Sequence, residues 1–284
     1  MKKKEFLVPF LLHLFFIVFS LLILYPFWIV LVDSFDDITG GGLKFWPKVF
    51  TVEAYKIVLG QNNTMTALLN SLFRTVVGTA MATASTFGAA YALSKKHIPF
   101  NRAMTAYVII PMFFGGGLIP YYLQITNMGL IDNRWVLILP AVFSGFNILV
   151  TRNFIYSIPI ELEESALLDG ANELKIALRI YLPLSLPIIA TIALWSAVGH
   201  WNSWFDGMIF IRTPSKQVLQ VLLRRVLLES QLSEMYDNPA LIPPATERSV
   251  RSALLFVTTI PILLVYPFAQ KYFIKGLTAG AIKG

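Results

Sequence analysis

The 284-residue sequence contains no cysteine, and charged side chains make up only 14% of it. The absence of cysteine excludes disulfides, thiolate nucleophiles and cysteine metal sites. The low charge is unusual, because about a quarter of the residues in soluble domains are charged. The sequence also lacks the pattern G-x-x-x-x-G-K-[ST], the usual cradle for nucleotide phosphates. Its three histidines, His13, His97 and His200, are too far apart to form a metal-ligand spacing.

In place of charge, the sequence has long apolar runs. Hydrophobic residues make up 56% of the chain and 22 residues are phenylalanine, and the mean hydropathy is +0.66. Apolar stretches of about 18 residues or more recur, which is long enough to cross a hydrocarbon core roughly 30 Å thick. Because these runs do not alternate polar and apolar residues, they predict helices. We therefore predict an all-α integral membrane protein.

Six spans are predicted, at about residues 6–32, 68–93, 104–124, 135–156, 184–204 and 252–274. The first apolar run is about 26 residues long, and no small-residue cleavage site follows it, so it predicts an uncleaved span. Together the spans predict a single transmembrane domain over residues 1–284, with a core of about 68–274.

The positions of lysine and arginine predict that both termini are cytoplasmic. Cytoplasmic loops carry an excess of these residues, and here the short basic segments contain Lys2, Lys3, Lys4, Lys95, Lys96, Arg102, Lys271, Lys275 and Lys283. The short connections left outside are acidic, with Asp33, Asp36, Asp37 and Asp132. The long external loop 205–251 is an exception, because it carries Arg212, Lys216, Arg224, Arg225, Arg248 and Arg251, but the rule is weak for long loops. The net charge of +7 does not predict nucleic-acid binding, since no basic face is continuous.

Residues 157–183 form a polar, helix-forming stretch between the fourth and fifth spans, on the cytoplasmic side. Pro159 and the acidic residues after it predict the start of a short helix, because proline and negative charge suit a first turn. Gly170 is predicted to end that helix. A second helix over about 172–181 is predicted to carry an apolar stripe of Leu174, Ala177, Leu178 and Tyr181.

The same stretch resembles the EAA motif of ABC-importer permeases, E-A-A-x3-G-x9-I-x-L-P. The matching residues are Glu164-Ser165-Ala166, Gly170 and Ile180-Tyr181-Leu182-Pro183, with Ser165 in place of the first alanine. The six-span layout and the segments LNSLFRTVVGT, IPIELEESALLDGA and FIKGLTAGAIKG resemble the carbohydrate-uptake permeases, the group of the smaller maltose-transporter subunit. The segment GGGLIPYYLQITNMGLIDNRWVLILP resembles permeases for complex oligosaccharides in Gram-positive bacteria.

This resemblance implies a permease subunit of an ATP-driven importer of a sugar, an oligosaccharide, in the cell membrane. Residues 157–183 would contain a coupling helix that docks on a cytoplasmic ATPase dimer, through Glu164, Ser165, Ala166, Asp169, Gly170, Ala171, Ile180, Leu182 and Pro183. The resemblance also implies a second, different permease and an external solute-binding protein. ATP and magnesium would be used by the ATPase, so that this chain is not an enzyme and binds no cofactor.

Two regions are candidates for the substrate pathway. Gly115, Gly116 and Gly117 predict a broken third helix just before Tyr121, and irregular backbone at membrane depth is tolerated where it lines a cavity. The alternative is that these small residues let helices pack closely. The stretch TIALWSAVGHWNSWFDG offers Trp195, Trp201 and Asn202, whose aromatic faces and amide suit a sugar. Anchoring at the membrane surface is the alternative there.

Other interpretations stay open at this point. The loop 205–251 contains an amphipathic helix, VLQVLLRRVLLESQL, which either faces the binding protein, as in related permeases, or caps this chain. A non-sugar cargo is open, because the EAA motif reports coupling and not cargo. An ion-coupled carrier would hold ionisable residues within its spans, whereas here Arg74 lies near the end of one. A membrane enzyme would need convergent catalytic groups, and the cluster Glu161, Glu163 and Glu164 is expected to have no histidine or metal partner nearby.

Overall fold

A computed structural model describes residues 2–36, 45–95, 97–228 and 247–281, with side chains only for those between residues 9 and 264. The α-helices in this part are α1 (Lys2–Ser34), α2 (Glu53–Gly60), α3 (Asn62–Ser94), α4 (Asn101–Phe113), α5 (Leu118–Asn127), α6 (Gly145–Tyr156), α7 (Glu161–Leu168), α8 (Glu173–Ile176), α9 (Leu182–Leu184), α10 (Leu186–Asn202), α11 (Phe205–Phe210), α12 (Leu219–Leu228) and α13 (Glu247–Ala281). Short 3-10 helices cover Arg134–Leu137, Leu139–Ala141 and Pro214–Lys216, and a π-helix covers Ala177–Tyr181. Within the same ranges the only extended pairing is an isolated bridge between Asp36 and Phe50. The all-α prediction is confirmed for this part of the chain.

Some residues used in the sequence predictions lie outside the described part. They are Asp37, Lys96, Lys283, residues 229–246 of the long loop and the side chains of Lys2, Lys3, Lys4, Lys271 and Lys275.

Among the residues that the structure describes, two helical segments are long and apolar enough to cross a membrane, Pro9–Ser34 in α1 and Asn62–Ser94 in α3. Two bent pairs also qualify if each counts as one span: Arg134–Ala141 with Gly145–Tyr156, bent by 43°, and Glu173–Leu184 with Leu186–Asn202, bent by 79°. These segments overlap the first, second, fourth and fifth predicted spans. The sixth falls within α13, whose side chains are described only to residue 264.

The third predicted span is broken, as its glycines and prolines predict. Helix α4 has 13 residues and ends at Phe113, and α5 has 10 residues and begins at Leu118. The residues between them include Gly115, Gly116 and Gly117. Pro120 lies in the first turn of α5, where its missing N–H has no helical partner to lose. Each half alone is too short to cross a hydrocarbon core that needs about 20 helical residues.

The chain divides into two compact units, residues 1–65 with 222–260 and residues 66–221 with 261–284. The second unit has two buried apolar clusters. One joins α3 and α6 to the stretch 157–183, through Phe87, Ala90, Leu93, Ile148, Ile155, Ala166, Ile176 and Tyr181. The other surrounds α11, through Ile125, Val136, Leu137, Phe210, Ile211, Val218 and Val221. The first cluster fixes the position of the predicted coupling segment.

In the first unit, the end of α1 binds the start of α13. The Asp33 carboxylate, whose side chain is 8% exposed, pairs with Arg248 at 2.7 Å between Oδ2 and Nη2. The hydroxyls of Ser34 and Tyr55 lie 2.7 Å apart, and the rings of Phe35 and Tyr55 are 4.9 Å apart between centroids. The pair with Asp33 therefore neutralises one of the basic residues in the 205–251 loop.

In the second unit, Asp132 neutralises Lys216, another basic residue of the 205–251 loop. Its Oδ1 accepts the backbone N–H groups of Arg212 at 3.0 Å and Thr213 at 2.9 Å. Its Oδ2 accepts the Thr213 hydroxyl at 2.6 Å and lies 3.1 Å from Lys216 Nζ. The Thr213 hydroxyl and backbone bonds, with Lys216, hold the pKa of Asp132 well below its usual range. The carboxylate therefore stays ionised near neutral pH, and Lys216 and Arg248 of the loop are each paired with an acidic residue from a short connection.

The amphipathic helix of the long loop is present as α12. Leu219, Leu222 and Val226 are buried on one side of it, and the backbone N–H of Leu219 donates to Ser71 Oγ at 2.8 Å. The apolar side of α12 therefore faces this chain, which favours the capping alternative for this part of the loop.

Candidate coupling site and translocation cavity

The stretch 157–183 begins with the short helix α7, which ends at a glycine. The acidic side chains of Glu161, Glu163 and Glu164 lie in its first turn, where negative charge stabilises the helix dipole. Gly170 follows with φ of +76°, in the left-handed region that costs other residues about 1–2 kcal/mol. Its N–H donates to the carbonyl of Leu167 at 3.0 Å, which closes the last turn. The predicted helix and its stop at Gly170 are confirmed.

The end of α7 presents apolar and acidic groups together. Leu168 is 90% exposed and Leu167 is 49% exposed, and the acidic residues beside them are exposed as well. Exposed apolar patches rimmed by polar residues mark sites of protein interaction. The sequence reasoning missed the two leucines, although an apolar pair inside a water-facing segment was the available signal. We call this patch the docking surface: Glu164, Ser165, Leu167, Leu168, Asp169 and Gly170.

Four of the five other residues implied in coupling pack inside the chain. Ala166 is buried in the apolar cluster that joins α3 and α6 to this segment, and Ala171, Ile180 and Leu182 pack against the same cluster. Pro183 is exposed in the first turn of α9. The first four of these residues support the docking surface from inside the chain.

The apolar stripe predicted for residues 172–181 is partly wrong. Tyr181 and Ala177 are buried as predicted, but Leu174 is 67% exposed and Leu178 is 49% exposed, and Ile176 is buried instead. The reason is the π-helix Ala177–Tyr181, in which the N–H of residue 182 bonds the carbonyl five residues earlier. Its wider turn stacks residues four and five apart, so Ile176 and Ala177 lie beneath Tyr181 and Leu178 rotates outward.

A buried lysine at the end of α3 holds this segment in place. Lys95 Nζ lies 2.5 Å from Glu163 Oε1, and the two side chains are 7% and 11% exposed. The same ammonium group lies 4.5 Å from the ring centroid of Tyr91 and 4.8 Å from that of Tyr181. The Tyr181 hydroxyl donates to Glu163 Oε2 at 2.6 Å, and the Tyr91 hydroxyl donates to Glu173 Oε2 at 2.7 Å. We call Lys95, Glu163, Tyr91, Tyr181 and Glu173 the lysine cage; it joins α3 to α7, α8 and the π-helix.

The pKa values of Glu163 and Tyr181 keep both groups in their pairing states near neutral pH. Burial alone would raise the pKa of Glu163, but the bonds from Lys95 and Tyr181 outweigh it and leave that pKa below its ordinary value. Burial and the Glu163 carboxylate raise the pKa of Tyr181, which stays protonated as a donor. Because a lowered carboxyl pKa stabilises the fold above the unfolded value of about 4.3, this contribution is lost only as the pH falls through the lowered pKa.

The surroundings of the glutamate cluster differ from the expectation in one respect. The glutamate cluster does have a histidine nearby, since His97 lines the same cavity of about 360 Å³ as Lys95, Tyr156 and Glu163. His97 and Glu163 are far apart in the sequence, which concealed that they lie close together in the fold. Among the described residues, no group of three or more histidine, cysteine or acidic side chains could hold a metal ion. The Glu163 carboxylate is already occupied by Lys95 and Tyr181, so Glu163 belongs to a structural ion pair.

A second ion pair lies within the helical bundle. Arg74 Nη1 donates to Asp206 Oδ1 at 3.1 Å and to the carbonyl of Ser203 at 2.9 Å, and Nη2 makes a further short bond to Asp206 Oδ2. Asp206 also accepts the Ser203 hydroxyl at 3.0 Å and the Gly207 N–H at 2.9 Å. The Arg74 side chain is 3% exposed. Arg74 is thus a buried, paired residue, which the sequence concealed because Asp206 is 132 positions away.

The pair borders a cavity of about 400 Å³, whose lining also includes Tyr121, Asn147, Trp195, Ser196 and His200. The structure thus brings together Tyr121 and Trp195, two residues of the predicted pathway. The others do not line it: Trp201 is buried, Asn202 is exposed, and Gly115, Gly116 and Gly117 lie in the break between α4 and α5. We call this space the membrane cavity.

A glycine in α3 makes room for one wall of the cavity. A Cβ atom at Gly78 would lie 2.5 Å from His200 Nε2, whereas one at Gly88 in the same helix would meet nothing within 4 Å. We expect Gly78→Ala to lower the free energy of unfolding by about 1–3 kcal/mol, because the buried His200 ring has to shift. The control Gly88→Ala should be neutral or slightly stabilising, because alanine favours a helix. Thermal unfolding of the purified variants measures both, and equal stability would contradict the prediction.

Comparisons with known proteins agree with this geometry. The family described as "Binding-protein-dependent transport system inner membrane component" matches residues 75–279. Protein LplC of Bacillus subtilis is 40% identical over 91% of this chain and 89% of its own length. The polygalacturonan/rhamnogalacturonan transport system permease protein YtcP of the same organism is 37% identical over 99% of this chain and 100% of its own.

A solved structure is similar over nearly the whole chain. It is the crystal structure of a bacterial ABC transporter involved in the import of the acidic polysaccharide alginate, with a TM-score of 0.85 and 30% identity over 95% of this chain and 98% of that one. The family match covers most of α3, the stretch 157–183 and the cage partners Glu163, Glu173 and Tyr181. The chain therefore belongs to the inner-membrane components of binding-protein-dependent transport systems, and it is a permease subunit of an ABC importer.

Proposed function

We propose that this permease carries an oligosaccharide into the cell with energy from ATP hydrolysed by a partner ATPase. The observation that carries the proposal is the docking surface, an exposed acidic and apolar patch anchored from beneath by the buried lysine cage. A patch that is exposed on one side and packed against buried residues on the other is suited to transmit force from a partner protein to the helices behind it. The sequence similarity to polygalacturonan/rhamnogalacturonan permease YtcP and to the alginate importer supports a saccharide cargo.

The proposed arrangement is a single transmembrane domain over residues 1–284 with a core of about 68–274, six spans and both termini cytoplasmic. The stretch 157–183 is then the cytoplasmic coupling segment, and 205–251 is external. The pairs of Arg248 with Asp33 and of Lys216 with Asp132 support this side for the loop. They neutralise two of the six basic residues that otherwise argue against an external location.

The proposed partners follow from the same arrangement. The docking surface binds a cytoplasmic ATPase dimer, which uses ATP and magnesium, while this chain binds neither. A second, different permease completes the pathway, and an external solute-binding protein delivers the cargo. An apolar groove lined by α3 together with the exposed Leu174 and Leu178 offers a surface for the second permease.

The proposed mechanism is a rigid-body movement. When the ATPase subunits move, the docking surface moves with them, and the lysine cage passes the displacement to the end of α3. The π-helix and the 79° bend before α10 pass it to the fifth span. Rocking of helices about a packed interface of this kind exposes a central site to one side of the membrane and then to the other.

The absence of cysteine allows a direct test of the arrangement. A single cysteine at Leu168 should react with a membrane-impermeant maleimide in inside-out vesicles and not in intact cells. The matched control is Met128→Cys, at an exposed residue of the same connection as Asp132, which should show the opposite pattern. Labelling of Leu168→Cys in intact cells would refute a cytoplasmic coupling segment.

Energy coupling is tested with the complete importer in proteoliposomes. Uptake of oligosaccharide should require ATP inside the vesicles when the binding protein is outside, and should survive a proton ionophore. Uptake that stops with the ionophore and continues without ATP would instead indicate an ion-coupled carrier.

A further inference from the structure

We infer that the membrane cavity is a subsite for one uncharged sugar ring of the cargo, held by Trp195 and by free polar groups around it. This inference rests on the proposed oligosaccharide import and adds where the cargo touches this chain and what charge that part of it carries. The cavity of about 400 Å³ falls in the lower part of the range of about 300–1,000 Å³ for small-molecule sites.

The first line of evidence is a set of polar groups that the chain itself leaves open. Among the described residues, no protein group bonds the side-chain amide of Asn147, the hydroxyls of Tyr121 and Ser196 or the indole N–H of Trp195, and all four line the cavity. The only bond of Asn147 with a side chain runs through its backbone N–H, to Ser144 Oγ at 3.4 Å. Each of these four side chains is partly or largely exposed, so its polar group is accessible to a ligand that enters the cavity. Sugar hydroxyls both donate and accept, and so they match this mixture of amide, hydroxyl and indole groups.

The second line of evidence is the aromatic surface. Trp195 is 42% exposed on α10, and its ring lies 5.9 Å from that of Phe146, inclined by 31°. Phe146 therefore supports the indole ring from one side and limits its rotation. A fixed indole face beside open polar groups suits the C–H face of a pyranose ring, since aromatic side chains combine apolar area with a polar handle.

The third line of evidence concerns charge. Arg74 and Asp206 are the charged residues in the lining, and each neutralises the other. Asp206 already accepts donors from Arg74, Ser203 and Gly207. In the Arg74 guanidinium, Nε is the nitrogen without a protein partner. Its single N–H can donate a hydrogen bond to one hydroxyl oxygen of a sugar. A carboxylate entering this space would find no free cation, and burying an unpaired charge is far more costly than burying a hydrogen-bonded hydroxyl. The site therefore favours a neutral ring over a uronic acid.

The test measures equilibrium binding to the purified importer complex without its binding protein, by saturation-transfer NMR. The probes are glucose, galactose and mannose trisaccharides, each beside its uronic-acid counterpart. We expect at least one neutral trisaccharide to bind, with its uronic counterpart weaker by about tenfold or more. Trp195→Ala should weaken binding of the neutral probe by about tenfold. Asn147→Leu, which removes the amide at similar size, should also weaken it.

The matched control is Trp135→Ala. Trp135 is 41% exposed, close to the 42% of Trp195, but it does not line the membrane cavity, so its loss should leave binding unchanged. The inference is overturned if no neutral trisaccharide binds, if the uronic probes bind as tightly, or if Trp195→Ala and Asn147→Leu both bind like the wild type. ATP-dependent uptake by the wild type in proteoliposomes would persist in each of those cases, so failure of the subsite is separable from failure of the proposed import.

Discussion

A Gly170→Val variant is expected to insert in the membrane and to lose most ATP-driven uptake. Gly170 has φ of +76°, and a β-branched residue is a genuine outlier there. The chain therefore has to reshape the docking surface between α7 and α8, at a cost of about 1–3 kcal/mol. Since each 1.4 kcal/mol is a factor of ten in an equilibrium, binding of the ATPase should weaken by about tenfold or more. Co-purification of the ATPase and uptake in proteoliposomes measure the effect.

The control Gly170→Asn separates two causes of that loss. Asparagine tolerates the left-handed region better than other residues, and a Cβ atom at Gly170 meets nothing within 4 Å in this chain. If only the backbone matters, Gly170→Asn should retain most of the coupling. If instead the ATPase has to approach Gly170 closely, Gly170→Asn should lose coupling as Gly170→Val does. Normal uptake by Gly170→Val would refute the assignment of the docking surface.

The second large effect is expected from Lys95→Met. This change leaves the Glu163 carboxylate buried without its cation, and removing one partner of a buried pair costs about 3–5 kcal/mol. We expect a lower melting temperature of the purified complex. We also expect less uptake for each ATP hydrolysed, because the docking surface is no longer fixed to α3.

A double-mutant cycle identifies the cage as the cause. In Lys95→Met with Glu163→Gln, no charge is left buried, so a large part of the lost stability should return. Glu161→Gln is the matched control, because Glu161 is exposed in the same first turn and should have little effect. Additive losses from Lys95→Met and Glu163→Gln would contradict the pair, since residues in contact couple by 0.5–3 kcal/mol or so. Recovery of stability without recovery of coupling would mean that the charge pair itself transmits the movement.

The stretch 157–183 shows which structural features local sequence patterns can predict and which they cannot. The helix start after Pro159 and the stop at Gly170 were predictable, because proline, acidic first turns and glycine act on the backbone within a few residues. The stripe in residues 172–181 was predicted with the period of an α-helix, and the π-helix changed that period. No local rule in the sequence predicts a π-turn, because it is stabilised by packing of Ile176 and Tyr181 into a cluster with α3 and α6.

The sequence by itself determined that this chain is helical and lies in a membrane, that the helix of residues 104–124 breaks, and that a short helix starts after Pro159 and stops at Gly170. These features depend on runs, turns and spacings of neighbouring residues, which act locally. The tertiary structure decided which charges are buried in pairs, Lys95 with Glu163 and Arg74 with Asp206, and which polar groups meet around one cavity. Those pairings join residues far apart in the chain, and their energy depends on distance and burial in space, which a linear order does not record.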